Sequence, residues 1–332
     1  MTCVCFACKE NKVLTKEHVI PKALGGRLKE KLYCKVCNEN FGKGIDAEIA
    51  KQFGHIATLL KIKIENGSTQ PFKVEDINNR ITLVFNGEAF SRKDPIIKLE
   101  SENDSKILKS ADITARSKKE LNNKIDQIKQ RYQVTGEIKT FEDIHPGPTE
   151  TKYEITIDNT LLRRAVTKIA YSLLCIKAPM KLVLEPAFDE VREYIKDGAG
   201  PDLACANFIN TQFMTDYIRP LHKIHIVLNR RNKLAVGYVS IFGIYRFTIL
   251  LSSKFSSCLE WPGLDFTFDP VQREEVLGNE RFRAPDITVE NILHPRQSKE
   301  FVEQELNRGQ KVIESYVENY EVLRTELSHP DN

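Results

Sequence analysis

Two pairs of cysteines and an acid set directly against a histidine are the residues near the N-terminus whose types and spacing could do chemistry. Cys5 and Cys8 are spaced C-x2-C, and Cys34 and Cys37 repeat that spacing. Each pair can grip one ion from a tight turn, and four thiolates complete a tetrahedral zinc site. Five of the eight cysteines fall within the first 37 residues. No charged start followed by an apolar stretch marks a secretory leader, and no apolar run reaches the roughly 18 residues of a membrane span. The chain is therefore expected in the cytoplasm, where paired cysteines read as metal ligands rather than disulfides. Cys3 is a spare that could stand in for Cys5, while Cys175, Cys205 and Cys258 read as core. The 25 residues between the pairs exceed the roughly 15–20 of a simple ribbon. They hold the stretch Thr15-Lys16-Glu17-His18-Val19-Ile20-Pro21 and the pair Gly25-Gly26.

The elements that must position these groups follow from local pattern. Residues 13–22 read as a short strand ended by Pro21, and residues 28–34 as a second strand after the glycine turn. Phe41, Ile45, Ile49, Ala50 and Phe53 recur at helical spacing, which predicts a helix over about 39–53 with Asn38 as a possible cap. The layout is strand, turn, strand, helix, fastened at its base by zinc. Neighbouring strand residues face opposite ways, so Glu17 and His18 cannot both face the core. One arrangement aims Glu17 at a metal near the helix start and His18 across a cleft.

These pieces resemble the HNH endonuclease superfamily, with its ββα-metal core. The match comprises Cys5-x2-Cys8, Glu17-His18, Pro21, Gly25-Gly26, and Cys34-x2-Cys37 followed directly by Asn38. It covers about residues 1–55. The resemblance implies that Glu17 ligates a catalytic divalent metal, that His18 is the general base, and that Asn38 is a second metal ligand. It also implies cleavage to 5′-phosphate and 3′-hydroxyl ends. The middle residue of the family's motif, nine positions before the last ligand, is here Lys29; that residue usually braces the loop. Asn38 could instead serve only as a helix cap, with Asn40 or Asp46 as the ligand.

The chemistry is coherent. Imidazole titrates near neutral pH, so His18 can take a proton from water. Oxygen donors from Glu17 and Asn38 suit a hard ion, Mg²⁺ or Mn²⁺, distinct from the structural Zn²⁺. Lys16, Lys22, Arg27, Lys29, Lys31 and Lys35 surround the motif and could contact phosphates whatever the base sequence. Residues 1–63 carry twelve Lys/Arg and six Asp/Glu, a net of +6, whereas the whole chain is only +3. That asymmetry points to a polyanion partner for the first segment, set against a plain solvated surface.

The remaining sequence gives architecture more than chemistry. With 332 residues, 41% of them hydrophobic and 29% charged, the chain can bury sizeable cores over two or three domains. An α+β fold is expected, divided as 1–64 (nuclease-like), 65–150 (α+β connecting domain) and 151–332 (α+β recognition or regulatory region). Residues 54–70 read as a link. Residues 80–87 read as a strand with an Asn-Gly turn, 111–132 as a strand followed by a helix capped by Ser117, and 145–150 as a loop. Residues 160–174 place Leu161, Leu162, Ala165, Val166, Ile169, Ala170, Leu173 and Leu174 on one helical face. Residues 186–195 read as a further helix. Segments 223–229, 233–241 and 245–253 read as an antiparallel meander. His222 and His225 fall on opposite strand faces and are not expected to share a metal. Trp261, Phe266 and Phe268 read as packing residues. In the tail, Val302, Leu306, Ile313, Tyr316, Tyr320, Leu323 and Leu327 keep four-and-three spacing, interrupted near Gly309. That predicts an amphipathic helix, packed on its own domain or on a second subunit as a homodimer.

The expected function is a metal-dependent DNA endonuclease. By analogy of plan, a small nuclease head on a larger body suits restriction or phage-defence enzymes. The C-terminal region would then recognise DNA, a partner protein or a small-molecule activator. The competing readings are a zinc-dependent nucleic-acid-binding protein without catalysis, and an adaptor whose zinc only supports folding.

Overall fold

The computed structural model describes residues 2–64, 67–78, 80–92, 96–101, 107–115, 118–134, 151–152, 158–206, 219–256, 261–277, 288–294 and 299–326. Ser117, the 145–150 loop, Cys258 and Leu327 lie outside the described residues, as do the side chains of Trp261, Val302, Leu306, Tyr320 and Leu323. The chain forms two compact units, residues 71–155 on the one hand and residues 1–70 with 156–332 on the other.

The first unit opens with a short hairpin, β1 (Cys3–Val4) and β2 (Asn11–Lys12), and a second one, β3 (Leu14–His18) and β4 (Lys29–Cys34). Helices α1 (Lys35–Lys43) and α2 (Ile45–Leu59) follow, separated at Gly44. The helix thus begins four residues earlier than its apolar spacing suggests, runs six residues further, and breaks once. Cys34 holds the N-cap position with extended backbone. Asn38 therefore lies inside α1 and does not cap it. Residues 54–59, expected as a link, belong to α2, where Ile56 and Ala57 are buried.

The unit of residues 71–155 contains two small sheets. One is antiparallel, with β5 (Phe72–Asp76), β6 (Ile81–Phe85), β7 (Phe90–Arg92) and the later edge strand β11 (Thr151–Lys152) in the order β11-β5-β6-β7. The other contains β8 (Ile96–Ser101), β9 (Ile107–Thr114) and β10 (Gln133–Val134), with α3 (Lys118–Arg131) between the last two in sequence. The Asn-Gly turn after β6 forms as its residues suggest: the Asn86 side chain accepts from the Glu88 and Ala89 amides at 2.9 and 2.8 Å.

The chain then returns to the first unit with α4 (Asn159–Lys177), capped by the Asp158 carboxylate on the Leu161 amide. Short α5 (Met180–Val183) and α6 (Asp189–Asp197) follow. Next come β12 (Ala204–Ala206), β13 (His222–Asn229), β14 (Leu234–Ile241), β15 (Tyr245–Ser252), β16 (Trp261–Asp269) and β17 (Glu274–Glu275), then α7 (Val289–Leu293) and α8 (Lys299–Glu326). The strands make one antiparallel sheet in the order β12-β15-β14-β13-β16-β17, with the expected meander at its centre. In α8, Val312 and Tyr316 are buried within the chain. A Cβ on Gly309 would stand 3.2 Å from Ile244, so the gap in the apolar spacing marks a close approach to the β14–β15 turn.

Helix α4 is the hub. It is buried almost all round, Thr167, Lys168 and Ser172 included, rather than along the single stripe of a surface helix. Its neighbours explain this: α2 and β4 on one side, the large sheet and α6 on others. At Gly237 of β14 a Cβ would lie 2.8 Å from Ala170 Cβ, so glycine lets helix and sheet meet there.

Candidate active site

The connection from β3 to β4 is built to hold its ends in place. After Pro21 a single 3₁₀ turn (Lys22–Leu24) leads into Gly25 at φ +86°. A side chain on Gly25 would strike Ile62 at 2.7 Å and Pro270 at 2.9 Å, and one on Gly26 would lie 2.0 Å from the Ile20 carbonyl oxygen. Gly26→Ala is therefore expected to lower stability by about 1–3 kcal/mol or more, read as a fall in the urea midpoint. An unchanged midpoint would show that the loop has room the structure denies it.

The same loop is tied to the large sheet by His222. Its Nε2–H donates to the Leu24 carbonyl at 2.8 Å, and its Nδ1 accepts from the Phe242 amide at 3.3 Å. Acceptance at Nδ1 needs the neutral ring, whereas donation from Nε2 does not. Burial lowers its pKa to about 4, against a smaller upward pull from the Leu24 carbonyl. Protonation thus favours the unfolded chain: the stability due to His222 is complete above the ordinary histidine pKa and is lost as pH falls through that value toward about 4. His55 and His225, also lowered to about 4 by burial, act in the same sense, while Glu17 opposes them. His222→Gln should therefore flatten the acid side of the stability profile by about 1 kcal/mol per pH unit near pH 5–6. Urea titrations at several pH values would show it, and an unaltered slope would refute the assignment.

The four paired cysteines converge. The sulfurs of Cys5, Cys8, Cys34 and Cys37 all lie within 4.8 Å of one another, as tetrahedral thiolate coordination of zinc requires. The donor set fits that ion. Burial, then the neighbouring thiols, push Cys37 well up, and burial with the Cys5 thiol raises Cys8; a shared cation is what lets such thiols ionise together. A bulge completes the clamp. Between Thr15 and Lys16 the β3–β4 register skips Leu32, so Leu32, Tyr33 and Cys34 are buried in succession. The Leu32 carbonyl accepts from the Phe6 amide at 3.1 Å, and the Cys34 amide donates to Cys5 Sγ at 3.2 Å. Cys3 is exposed on β1 and outside the cluster, while Cys175 and Cys205 are buried, as expected of core residues.

The sulfur clamp, the two-stranded hairpin carrying Glu17-His18 and the helix after it all lie in the N-terminal part of the chain. Residues 3–54 are an HNH endonuclease domain. The family model covers that N-terminal part alone; no curated protein and no solved structure matches the chain. An HNH domain implies a nuclease, and hence a nucleic-acid substrate. No described helix is long and apolar enough to cross a membrane.

Within the HNH domain the motif residues go to different surroundings. On β3, Glu17 is buried, His18 half-buried and Lys16 exposed. Asn38 donates its side-chain Nδ2 to Thr15 Oγ1 at 2.8 Å and to the Lys16 carbonyl at 3.1 Å. It thereby ties α1 to the strand that carries Glu17 and His18. Lys22, Lys29, Lys31 and Lys35 are exposed, and Lys35 pairs with Glu39 one turn on at 3.8 Å. Arg27 is half-buried, and its Nη2 is buried with no partner among the described residues.

Glu17 meets a residue that sequence reasoning passed over. The ammonium of Lys168, fully buried in α4, bonds to Glu17 Oε1 and to both oxygens of Asp46, at 2.7 and 2.6 Å for the latter. Burial raises the Glu17 pKa to about 7; Lys168 draws it down and the Asp46 charge pushes it up. For Lys168 burial acts against the charge, but Asp46 and Glu17 outweigh it and its pKa rises. The signal was a lysine inside an apolar run, which periodicity alone assigns to a solvated helix face. Around this centre α4 and α6 hold the zinc clamp. Tyr171 donates to the Phe6 carbonyl at 3.2 Å, Tyr33 and Ser172 hydroxyls meet at 2.8 Å, and Lys9 pairs with Asp189 at 2.5 Å.

Proposed function

We propose that the chain is a metal-dependent DNA endonuclease in which His18 is the general base, Glu17 and Asn38 hold a divalent ion, and Lys16, Lys22, Arg27, Lys29 and Lys35 contact phosphates. The observation that carries this reading is strand β3 of the HNH domain, which turns Glu17 inward while leaving His18 half-buried beside exposed Lys16 and opposite exposed Lys29. The oxygen donors suit Mg²⁺ or Mn²⁺. The Lys16 carbonyl can only accept, so Asn38 must turn its Nδ2 toward it; that fixes the amide and leaves Oδ1 as the ligand atom. At Glu17, where the Lys168 ammonium bonds to Oε1, the carboxylate would offer its oxygens to the ion in place of that ammonium. When bound, the ion polarises the phosphate and the leaving oxygen.

The protein's own groups do the rest. His18 takes a proton from the attacking water. The lysines hold flanking phosphates through attraction that does not depend on base sequence. A partner protein or small-molecule activator would act through the C-terminal region, in keeping with a restriction or phage-defence enzyme. Supercoiled plasmid incubated with the full chain and Mg²⁺ or Mn²⁺ should be nicked or linearised, and EDTA should stop the reaction. Plasmid left intact under every metal would end this reading.

The engagement of Glu17 by Lys168 favours a second reading, a zinc-dependent nucleic-acid-binding protein without catalysis. It expects plasmid to be bound at low salt and released at high salt, with no cut under any metal.

A further inference from the structure

The Lys168 ammonium sits at bonding distance from two carboxylates that belong to different elements of the HNH domain, Glu17 on β3 and Asp46 in the first turn of α2. It arrives from α4, outside the matched residues 3–54. Side-chain exposure is 0% for Lys168, 8% for Glu17 and 15% for Asp46, so solvent screens the trio little. When both carboxylates are ionised they carry two negative charges, and one ammonium cancels only one of them. The place is built of hard oxygen donors, already holds a positive charge, and keeps a residual negative one.

We propose that Glu17 and Asp46 form a divalent-cation site and that Lys168 is its internal occupant, so that Mg²⁺ or Mn²⁺ enters only as Lys168 leaves. Asp46 thereby joins the donors of the proposed active site, and Lys168 becomes a positioning residue that sets how readily the ion loads. The inference rests on the nuclease reading for the role of the ion, but not for its test. An ammonium and a divalent ion on the same carboxylate repel strongly in a site so little exposed to water. Binding of either therefore weakens binding of the other by the same factor.

The test uses the full, zinc-loaded chain and Mn²⁺ as the probe. A brief pulse of an amine-acetylating reagent, read by peptide mass spectrometry, should label Lys168 severalfold more with Mn²⁺ than without, while exposed Lys177 on the same helix stays unchanged. This measurement needs no variant. In the second arm, Lys168→Gln keeps a hydrogen-bond donor but removes the charge. It should bind Mn²⁺ at least about tenfold more tightly by electron paramagnetic resonance, a gain of about 1.4 kcal/mol, and adding Asp46→Asn should abolish the gain. The proposal is overturned if Mn²⁺ binds the wild type without altering Lys168 labelling. It is equally overturned if zinc-retaining Lys168→Gln binds Mn²⁺ no better than wild type, including the case in which neither binds. A chain that cuts plasmid yet shows neither response loses this inference and keeps the nuclease reading. One that exchanges Lys168 for Mn²⁺ but never cuts does the reverse.

Discussion

Cys34→Ser is expected to unfold the HNH domain and to release its zinc. Structural zinc supplies roughly 10–16 kcal/mol to small zinc-bound units, comparable to the about 5–15 kcal/mol that stabilises a whole domain. Cys34 does two jobs, as one of the four convergent sulfurs and as the residue that ends β4 and starts α1. Losing it frees the Cys5–Cys8 turn from the hairpin and takes the Phe6 carbonyl away from Tyr171. Elemental analysis should find about one zinc per wild-type chain and little in the variant, and limited proteolysis should open cuts within residues 3–54. Wild-type protease resistance in a zinc-free variant would show that packing on α4 alone holds the domain.

His18→Ala should leave the fold alone and remove the chemistry. The side chain is half-buried on a strand whose inward residue is Glu17, so its loss opens no core cavity. A positioned general base accounts for about 10²–10⁴-fold in rate, and plasmid cleavage should fall by that factor. Zinc content, DNA retention in a gel-shift assay and the urea midpoint should stay at wild-type values. Cleavage at full speed would take His18 out of the mechanism, whereas loss of zinc as well would make its role structural.

The parts of the domain that could be read from sequence are those that depend on residue type and short spacing. Paired cysteines two apart can bite one ion from a turn, and an acid beside a histidine on a strand must face opposite ways; the sulfurs converge and Glu17 turns inward. The central meander was equally plain, because β13, β14 and β15 are rich in β-formers and separated by turn residues. Helix boundaries were not, because Cys34 takes the cap position and Asn38 bonds sideways to β3. Lys168 was out of reach for a deeper reason. Its meaning lies in Glu17 and Asp46, 151 and 122 residues away in sequence, and no local period encodes such a pairing. The burial of α4 on nearly every side follows from the same long-range packing, and one-dimensional amphipathicity could not have revealed it.

That separation also bears on how the protein is made. Asp46 emerges from the ribosome 122 residues ahead of Lys168, on the order of ten seconds of synthesis. During that interval the cysteines can already capture zinc, while the two carboxylates still face water without their internal cation. A nascent chain would thus expose its oxygen pair before the helix that covers it exists, and the site could close only once α4 had been made.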